Sequence, residues 1–258
     1  MKAAILTDTT KCIGCRECVV ACKRTYGLGP DVPRRWSSDD GLSARNWTAV
    51  VEKPGPKFIR KQCRHCLEPA CASACPVGAL HKTPEGPVVY DSSKCIGCRY
   101  CMMACPYGIP RYDWEQAVPY VRKCVLCHER VQKGQQPACV EACPTKATIF
   151  GERETLLAEA KKRIAENPGL YQAKVFGESE VGGTSVLYIS DTDLSFLTYG
   201  RPLGDKPLPT LTAPAMQAVP AVFVGMGALM SGLWWLTNRR NKVKQTETAD
   251  AKKDETHG

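Results

Sequence analysis

Polarity along the chain divides it into segments of different character. Between Pro207 and Asn238 there is no charged residue, and Met216–Leu236 within that stretch is apolar except for Gln217 and Ser231. Its 21 residues match the roughly 20 that a helix needs to cross a bilayer. Pro220 suits a first helical turn, and Trp234–Trp235 suits an interfacial belt. The basic run "NRRNKVK" that follows favours a span over a buried helix of a soluble protein. Ala221, Gly225, Ala228 and Gly232 recur at helical spacing as a small-residue face, which lets helices approach closely in lipid. Upstream, "ERETLLAEAKKRIAEN" predicts an amphipathic helix with Leu156, Ala160 and Ile164 on one side, stopped by Pro168–Gly169. "TSVLYIS" predicts a strand. Both are expected to pack over the core and to carry no chemistry. The closing "QTETADAKKDETHG" predicts a disordered polar tail.

Cysteine usage changes the picture more than any other count. The chain of 258 residues holds 16 cysteines, all between Cys12 and Cys143, in four groups of four. Small secreted disulfide scaffolds scatter their cysteines instead. "MKAAILTDTTKC" lacks the apolar core of a signal peptide, so metal is expected rather than a disulfide framework. One stretch is written twice: "KCIGCRECVVACK" at Lys11 returns as "KCIGCRYCMMACP" at Lys94, and only the second copy ends in proline. After Cys22 the chain instead enters a polar insertion, residues 23–62. That insertion reads as a solvated loop or as a loop contacting a partner. The second is preferred because Trp36 and Trp47 are costly to leave in water.

The spacings select the metal. Cys12, Cys15, Cys18 and Cys22 follow C-x2-C-x2-C-x3-C, and Cys95, Cys98, Cys101 and Cys105 repeat it. Cys63, Cys66, Cys71 and Cys75 widen the middle gap, while Cys124, Cys127, Cys139 and Cys143 widen it further. A loop wrapping one face of a cubane brings thiolates to three corners, and the fourth must come from elsewhere. In two-cluster bacterial ferredoxins the fourth cysteine of a run serves the other cluster. A zinc-bound structural protein is the alternative, but zinc wants two C-x2-C pairs, which leaves Cys18 and Cys101 over. Three groups also end in Cys-Pro, at Cys75, Cys105 and Cys143, as ferredoxin runs do. Four such groups predict [4Fe–4S] clusters.

The formal charge of +9 then loses its apparent meaning. Four cubanes with their thiolates carry about −8 in total and leave the protein near neutrality, so no nucleic-acid partner is expected. There is no nucleotide-binding fingerprint, and His65 and His128 read as polar loop residues beside the cysteines. Lys11, Lys94 and Lys123 each precede a cysteine. They read either as tuners of cluster potential or as ordinary solubilising charge.

With these motifs placed, the chain resembles the four-cluster iron–sulfur subunits of membrane-bound respiratory oxidoreductases. These accompany formate dehydrogenases, other molybdopterin enzymes and hydrogenases of the hydrogenase-2 (HybA) type. The resemblance runs from Lys11 to about Asp191. "KQCRHCLEPACASACPVGAL", "KCIGCRYCMMACPYGIPRYD" and "GERETLLAEAKKRIAENPG" are most like the hydrogenase-linked branch, and "VGGTSVLYISD" has a similar form in formate dehydrogenase subunits. The resemblance implies that the first motif pairs with the fourth and the second with the third. Cluster one then takes Cys12, Cys15, Cys18 and Cys143, and cluster two takes Cys22, Cys124, Cys127 and Cys139. Cluster three takes Cys63, Cys66, Cys71 and Cys105, and cluster four takes Cys75, Cys95, Cys98 and Cys101.

The expectation is therefore an α+β protein with tandem, duplicated ferredoxin-like domains, four [4Fe–4S] clusters and one C-terminal transmembrane helix. Residues 1–150 are expected to hold the clusters, 151–206 to cover them, 207–238 to anchor the chain and 239–258 to form a tail. The chain itself is non-catalytic. Electrons would pass between a catalytic oxidoreductase subunit and an integral membrane cytochrome or quinone-binding subunit. A free-standing polyferredoxin is the alternative, against which the terminal span argues. Arg239, Arg240, Lys242 and Lys244 place the C-terminus in the cytoplasm by the positive-inside rule. The cluster domain would then be periplasmic on the bacterial inner membrane, exported folded alongside a partner that carries a twin-arginine signal.

Overall fold

The opening Ala3–Asp8 forms strand β1, the middle of a three-stranded sheet. No periodic pattern announces this strand. The computed structural model describes residues 2–30, 40–55, 57–114, 116, 120–198 and 203–255, with side chains through Gln245. Strand β1 runs antiparallel to β8 (Thr148–Glu152) and parallel to β9 (Val186–Ile189). All six β1 residues are buried, because both faces of the sheet are covered. Ala4, Leu6, Leu187 and Ile189 meet Leu156 and Ala160 of helix α6 (Arg153–Glu166) on one face. Ala3, Ile5, Val186 and Tyr188 meet Ile59, Leu126, Cys139 and Val140 on the other. A strand covered on both sides has no need of polar alternation. The helix and strand expected near the C-terminal end of the cysteine region are thus α6 and β9. Strand β9 joins the sheet that backs the cysteines, and α6 packs on that sheet's other face.

The chain divides into two compact units, Met1–Pro209 and Thr210–Gly258. The first therefore joins the expected cluster and covering segments. In the second, helix α7 (Leu208–Glu255) is one long element. Its early start puts Pro214 and Pro220 in the helix interior, not Pro220 in the first turn. It also continues through much of the stretch expected to be a disordered tail, where Lys, Glu, Ala and Gln are good helix formers and no Gly or Pro intervenes before Gly258.

The repeated stretch adopts repeated geometry. Asp8 and Asp91 each accept from the backbone and hydroxyl two residues on, through Thr10 and Ser93. Each opens a short 3₁₀ turn that delivers Cys12 or Cys95. Gly14 and Gly97 follow at φ +71° and +72°, then Arg16 and Arg99 at φ +62° and +65°. A Cβ at Gly14 would sit 2.5 Å from Phe58, and one at Gly97 would sit 2.7 Å from the Tyr112 hydroxyl. These two glycines are required by both backbone and space.

The copies then diverge where their sequences do. Helix α3 (Tyr100–Ala104) stops before Cys105, whose ψ of 113° is extended. The residue before a proline is pushed out of the helical region, and here that proline is Pro106. Helix α1 (Glu17–Tyr26), with Lys23 in the corresponding place, runs another turn and ends on Gly27 at φ +59°. The extra turn places Tyr26 against Trp47, with ring centroids 4.7 Å apart.

The insertion is partly structured. Strands β2 (Thr48–Lys53) and β3 (Lys57–Gln62) form an antiparallel hairpin in register Val50↔Arg60, turned at Pro54–Gly55 with Gly55 at φ +87°. Trp47 Nε1 donates to Ala44 O at 2.9 Å. This ring is half-buried against Tyr26 within the chain; Trp36 lies outside the described residues. Asp40 ties the insertion down. Lys61 Nζ lies 2.7 Å from its Oδ2, and Arg111 Nη2 donates to both of its oxygens at 3.0 and 2.8 Å. Burial pushes the Asp40 carboxyl up, but the Lys61 hydrogen bond and the Arg111 and Lys61 charges outweigh it and hold it below its ordinary value. Asp40→Asn is expected to cost about 2 kcal/mol at neutral pH, because two half-buried cations lose their counter-charge. A depressed carboxyl stabilises the fold above its unfolded pKa of about 3.9 and stops doing so as pH falls through the folded value. Thermal unfolding of the two forms should therefore differ most at neutral pH and converge in acid.

The remaining elements are short and hold cysteines. Helices α2 (Ala70–Ser73) and α5 (Ala138–Glu141) start after Pro69 and Pro137 in parallel settings, and α4 is His128–Gln132. Strands β4 (Leu80–Lys82) and β5 (Val88–Tyr90) pair, as do β6 (Arg111–Tyr112) and β7 (Val121–Arg122).

Candidate metal centres

Cysteines far apart in sequence line common cavities. Cys12, Cys15 and Cys18 share one with Cys143, and Cys22 shares another with Cys124, Cys127 and Cys139. Cys75 shares a third with Cys95, Cys98 and Cys101. In the remaining set, the electrostatic neighbours of Cys66 are Cys105, Cys63 and Cys71. The structure thus gathers all sixteen predicted residues into four sets, with Cys22, Cys75, Cys105 and Cys143 each crossing to another motif's loop.

The donor chemistry fits cubanes. Each of the three cavities is lined by four thiols, as one kind of occupant requires. Among the described residues no three His, Cys, Asp or Glu side chains converge on a point as a single metal ion needs. Burial pushes the Cys18 thiol up to about 11, Cys71 to about 12 and Cys101 to about 11. Burial also raises Cys66 and Cys124 strongly. Thiols in such surroundings stay protonated unless iron supplies the compensating charge. At Cys143 burial also works upward, but backbone N–H groups of Thr148 and Ala147 with the Thr145 and Thr148 hydroxyls prevail and lower it. Backbone N–H groups of Ile109 and Leu126 point at the sulfurs of Cys105 and Cys124, at 3.5 and 3.4 Å. Such contacts stabilise negative charge on sulfur.

The sets follow one another in space. Cys18 of the first neighbours Cys139 of the second, Cys124 of the second neighbours Cys63 of the third, and Cys71 of the third neighbours Cys101 of the fourth. Exposure concentrates at the two ends. Cys15 of the first set and Cys98 of the fourth are exposed, beside Ile13 at 61% and Ile96 at 65% exposure.

Of the three lysines expected near cysteines, Lys11 and Lys94 reach solvent and pair with Asp8 and Asp91. Only Lys123 is buried, donating to Val88 O and, at 3.0 Å, to Cys124 O. His65 is fully buried, and its Nδ1 accepts from Val88 N at 2.9 Å. Burial, Lys123 and Lys82 hold it well below its usual value, so it is a neutral packing residue. His128 opens α4. The residue that motif spacing does not reveal is Arg60, on β3 and 2% exposed, which lines the first cavity. No local pattern marks it: "KFIRKQ" does not alternate, and its last four residues are all buried.

The second unit is helical. Within Leu208–Gln245 one helix is long and apolar enough to cross a membrane, and its large side chains are bare, with Phe223 81% and Val224 73% exposed.

Comparison with known proteins agrees. Two 4Fe–4S dicluster domain models match, over residues 11–79 and 56–153. These domains and the sixteen cysteines support four [4Fe–4S] clusters. A protein of Nitratidesulfovibrio vulgaris is 42% identical across 96% of this chain and 70% of its own length. Hydrogenase-2 operon protein HybA of Escherichia coli O157:H7 is 37% identical across 95% of this chain and 87% of its own. The formate dehydrogenase-O iron–sulfur subunit of Escherichia coli K12 is 39% identical across 78% of this chain and 71% of its own. Crossed thiol sets, paired dicluster matches and near full-length similarity lead to one conclusion: the chain belongs to the 4Fe–4S electron-transfer subunits of respiratory oxidoreductases.

Proposed function

We propose that the chain is a linear relay of four clusters, each held by one of the four thiol sets, ordered first, second, third, fourth. The observation that carries this is the succession of neighbouring thiols, Cys18–Cys139, Cys124–Cys63 and Cys71–Cys101. Each cubane, when bound, accepts and returns one electron. The chain's own residues hold the sulfurs, keep water from the second and third sets and set the local field. The two exposed ends, at Cys15 with Ile13 and at Cys98 with Ile96, are where electrons enter and leave. The architecture is α+β, two ferredoxin-like halves related by the Asp8 and Asp91 repeats.

One end meets a catalytic subunit, a hydrogenase or a molybdopterin enzyme such as a formate dehydrogenase. The other meets an integral cytochrome or quinone-binding subunit. The Thr210–Gly258 unit anchors the chain in lipid, and its Ala221, Gly225, Ala228 and Gly232 face suits close approach to a membrane helix. Arg239, Arg240, Lys242 and Lys244 put its C-terminus in the cytoplasm and the cluster domain in the periplasm.

Metal analysis of the complex, extracted gently with a tag on this chain, tests the partner. Nickel identifies a hydrogenase, and molybdenum or tungsten a pterin enzyme; none of the three would overturn the catalytic partner. Protease added to intact spheroplasts should digest the cluster domain, and protection would reverse the orientation.

A further inference from the structure

Arg60 is a buried cation without a carboxylate. It is 2% exposed, and among the described residues no Asp or Glu pairs with it. Its Nη2 donates to Thr7 Oγ1 at 3.2 Å, while Nε and Nη1 have no partner at all. A guanidinium cannot escape by losing its proton, so isolation would cost several kcal/mol. Something negative has to face it. The guanidinium lines the first cavity with Cys12, Cys15, Cys18 and Cys143; its strand neighbour Ile59 packs in one core cluster with Cys139 of the second set, and its charge acts on Cys139 and Cys124. The β2–β3 hairpin supplies it from within the insertion, and the Tyr188 hydroxyl holds its carbonyl at 2.8 Å. Lys123 occupies a comparable place beside Cys71 of the third set, but its ammonium donates to Val88 and Cys124 carbonyls. Carbonyls take two of the three Lys123 donors, whereas two whole nitrogens of Arg60, Nε and Nη1, have no acceptor among the described residues.

We propose that Arg60 is a potential-setting residue shared by the first two clusters, its spare N–H groups and charge favouring their reduced forms. This rests on the assignment of clusters to thiol sets under the proposed function. Reduction adds one negative charge to a cluster, and a nearby cation in a water-poor site stabilises that charge. The insertion thereby gains a role that does not involve a partner: it carries a cation to the junction between two clusters.

The test is a redox titration of the extracted complex followed by electron paramagnetic resonance, on wild type, Arg60→Met and Arg60→Lys. In Arg60→Met, the equilibrium constants for reducing the first two clusters should fall at least tenfold, about 59 mV each. The third and fourth should not move. Arg60→Lys, which keeps the charge, should recover most of the shift. Four unmoved midpoints in a fully loaded Arg60→Met would overturn the proposal, and so would equal shifts at all four clusters. If Arg60→Met fails to load clusters, loading restored by lysine supports the proposal, whereas failure of both variants overturns it in favour of a packing role. A wild type without four cubane signals would instead strike the cluster assignment itself, and the two failures are thus distinguishable.

Discussion

Cys139→Ala and Cys143→Ala, two substitutions in one short motif, will extinguish different clusters. Each variant should keep about three quarters of the wild-type iron. Cys143→Ala should remove the same resonance signal as Cys12→Ala, and Cys139→Ala the same signal as Cys22→Ala. The reason is local. Cys139 lies in α5, 7% exposed and packed with Ile5 and Leu126. Cys143 comes after that helix ends at Glu141, in a turn where Thr145, Ala147 and Thr148 address its sulfur from the side of the first cavity. Cys139 lines the second cavity and Cys143 the first, so ligands four residues apart serve different spaces. A self-contained fourth motif predicts loss of one and the same cluster in both variants, and that result would sink the crossed assignment. In either variant, electron passage through the complex should fall by orders of magnitude, because a linear relay has no bypass. Substrate-linked dye reduction at the catalytic subunit should survive.

Truncation after Pro209 should be the second large effect. Expressed without partner subunits, the shortened chain should load its clusters and appear in the soluble fraction, while the full chain should sediment with membranes. The Met1–Pro209 unit contains the sheet, α6 and all sixteen cysteines, so the fold has what it needs. The removed helix carries the bare apolar surface around Phe223 and Val224, which water does not tolerate at that length. A milder form is Val224→Arg, which places a charge near mid-span at a cost of about 2.5–3.5 kcal/mol and should partly release the chain. A truncated chain still bound to washed membranes would show that the anchor lies elsewhere. A truncated chain that supports full respiration in cells would revive the free-standing polyferredoxin.

Several features are legible in the residues themselves. The helix at Arg153–Glu166 carries a helical period, and the strand at Val186–Ile189 is a short β-rich apolar run between polar and glycine residues. The duplicated loops are visible because cysteine spacing around a cubane leaves little freedom. The absence of proline after Cys22 is visible too, but its consequence is not, since it depends on what waits for the longer helix. That is Trp47, carried in on the insertion. Strand β1 escapes because "AAILTD" is buried on both faces and shows no alternation. The β2–β3 hairpin escapes because neither strand alternates and β3 carries Arg60 and Lys61, charged residues that the fold buries.

Residue identity and short-range spacing are enough for the ligand type, the number of thiol groups, the duplication and the outer apolar helix. Long-range packing is what stands Arg60 where two thiol sets meet, pins the insertion through Asp40 to Lys61 and Arg111, and joins the covering helix to the sheet of the chain's first strand. Those facts depend on contacts between residues dozens to well over a hundred positions apart. The charge or apolar surface of one segment is made tolerable there by a group that no local pattern announces.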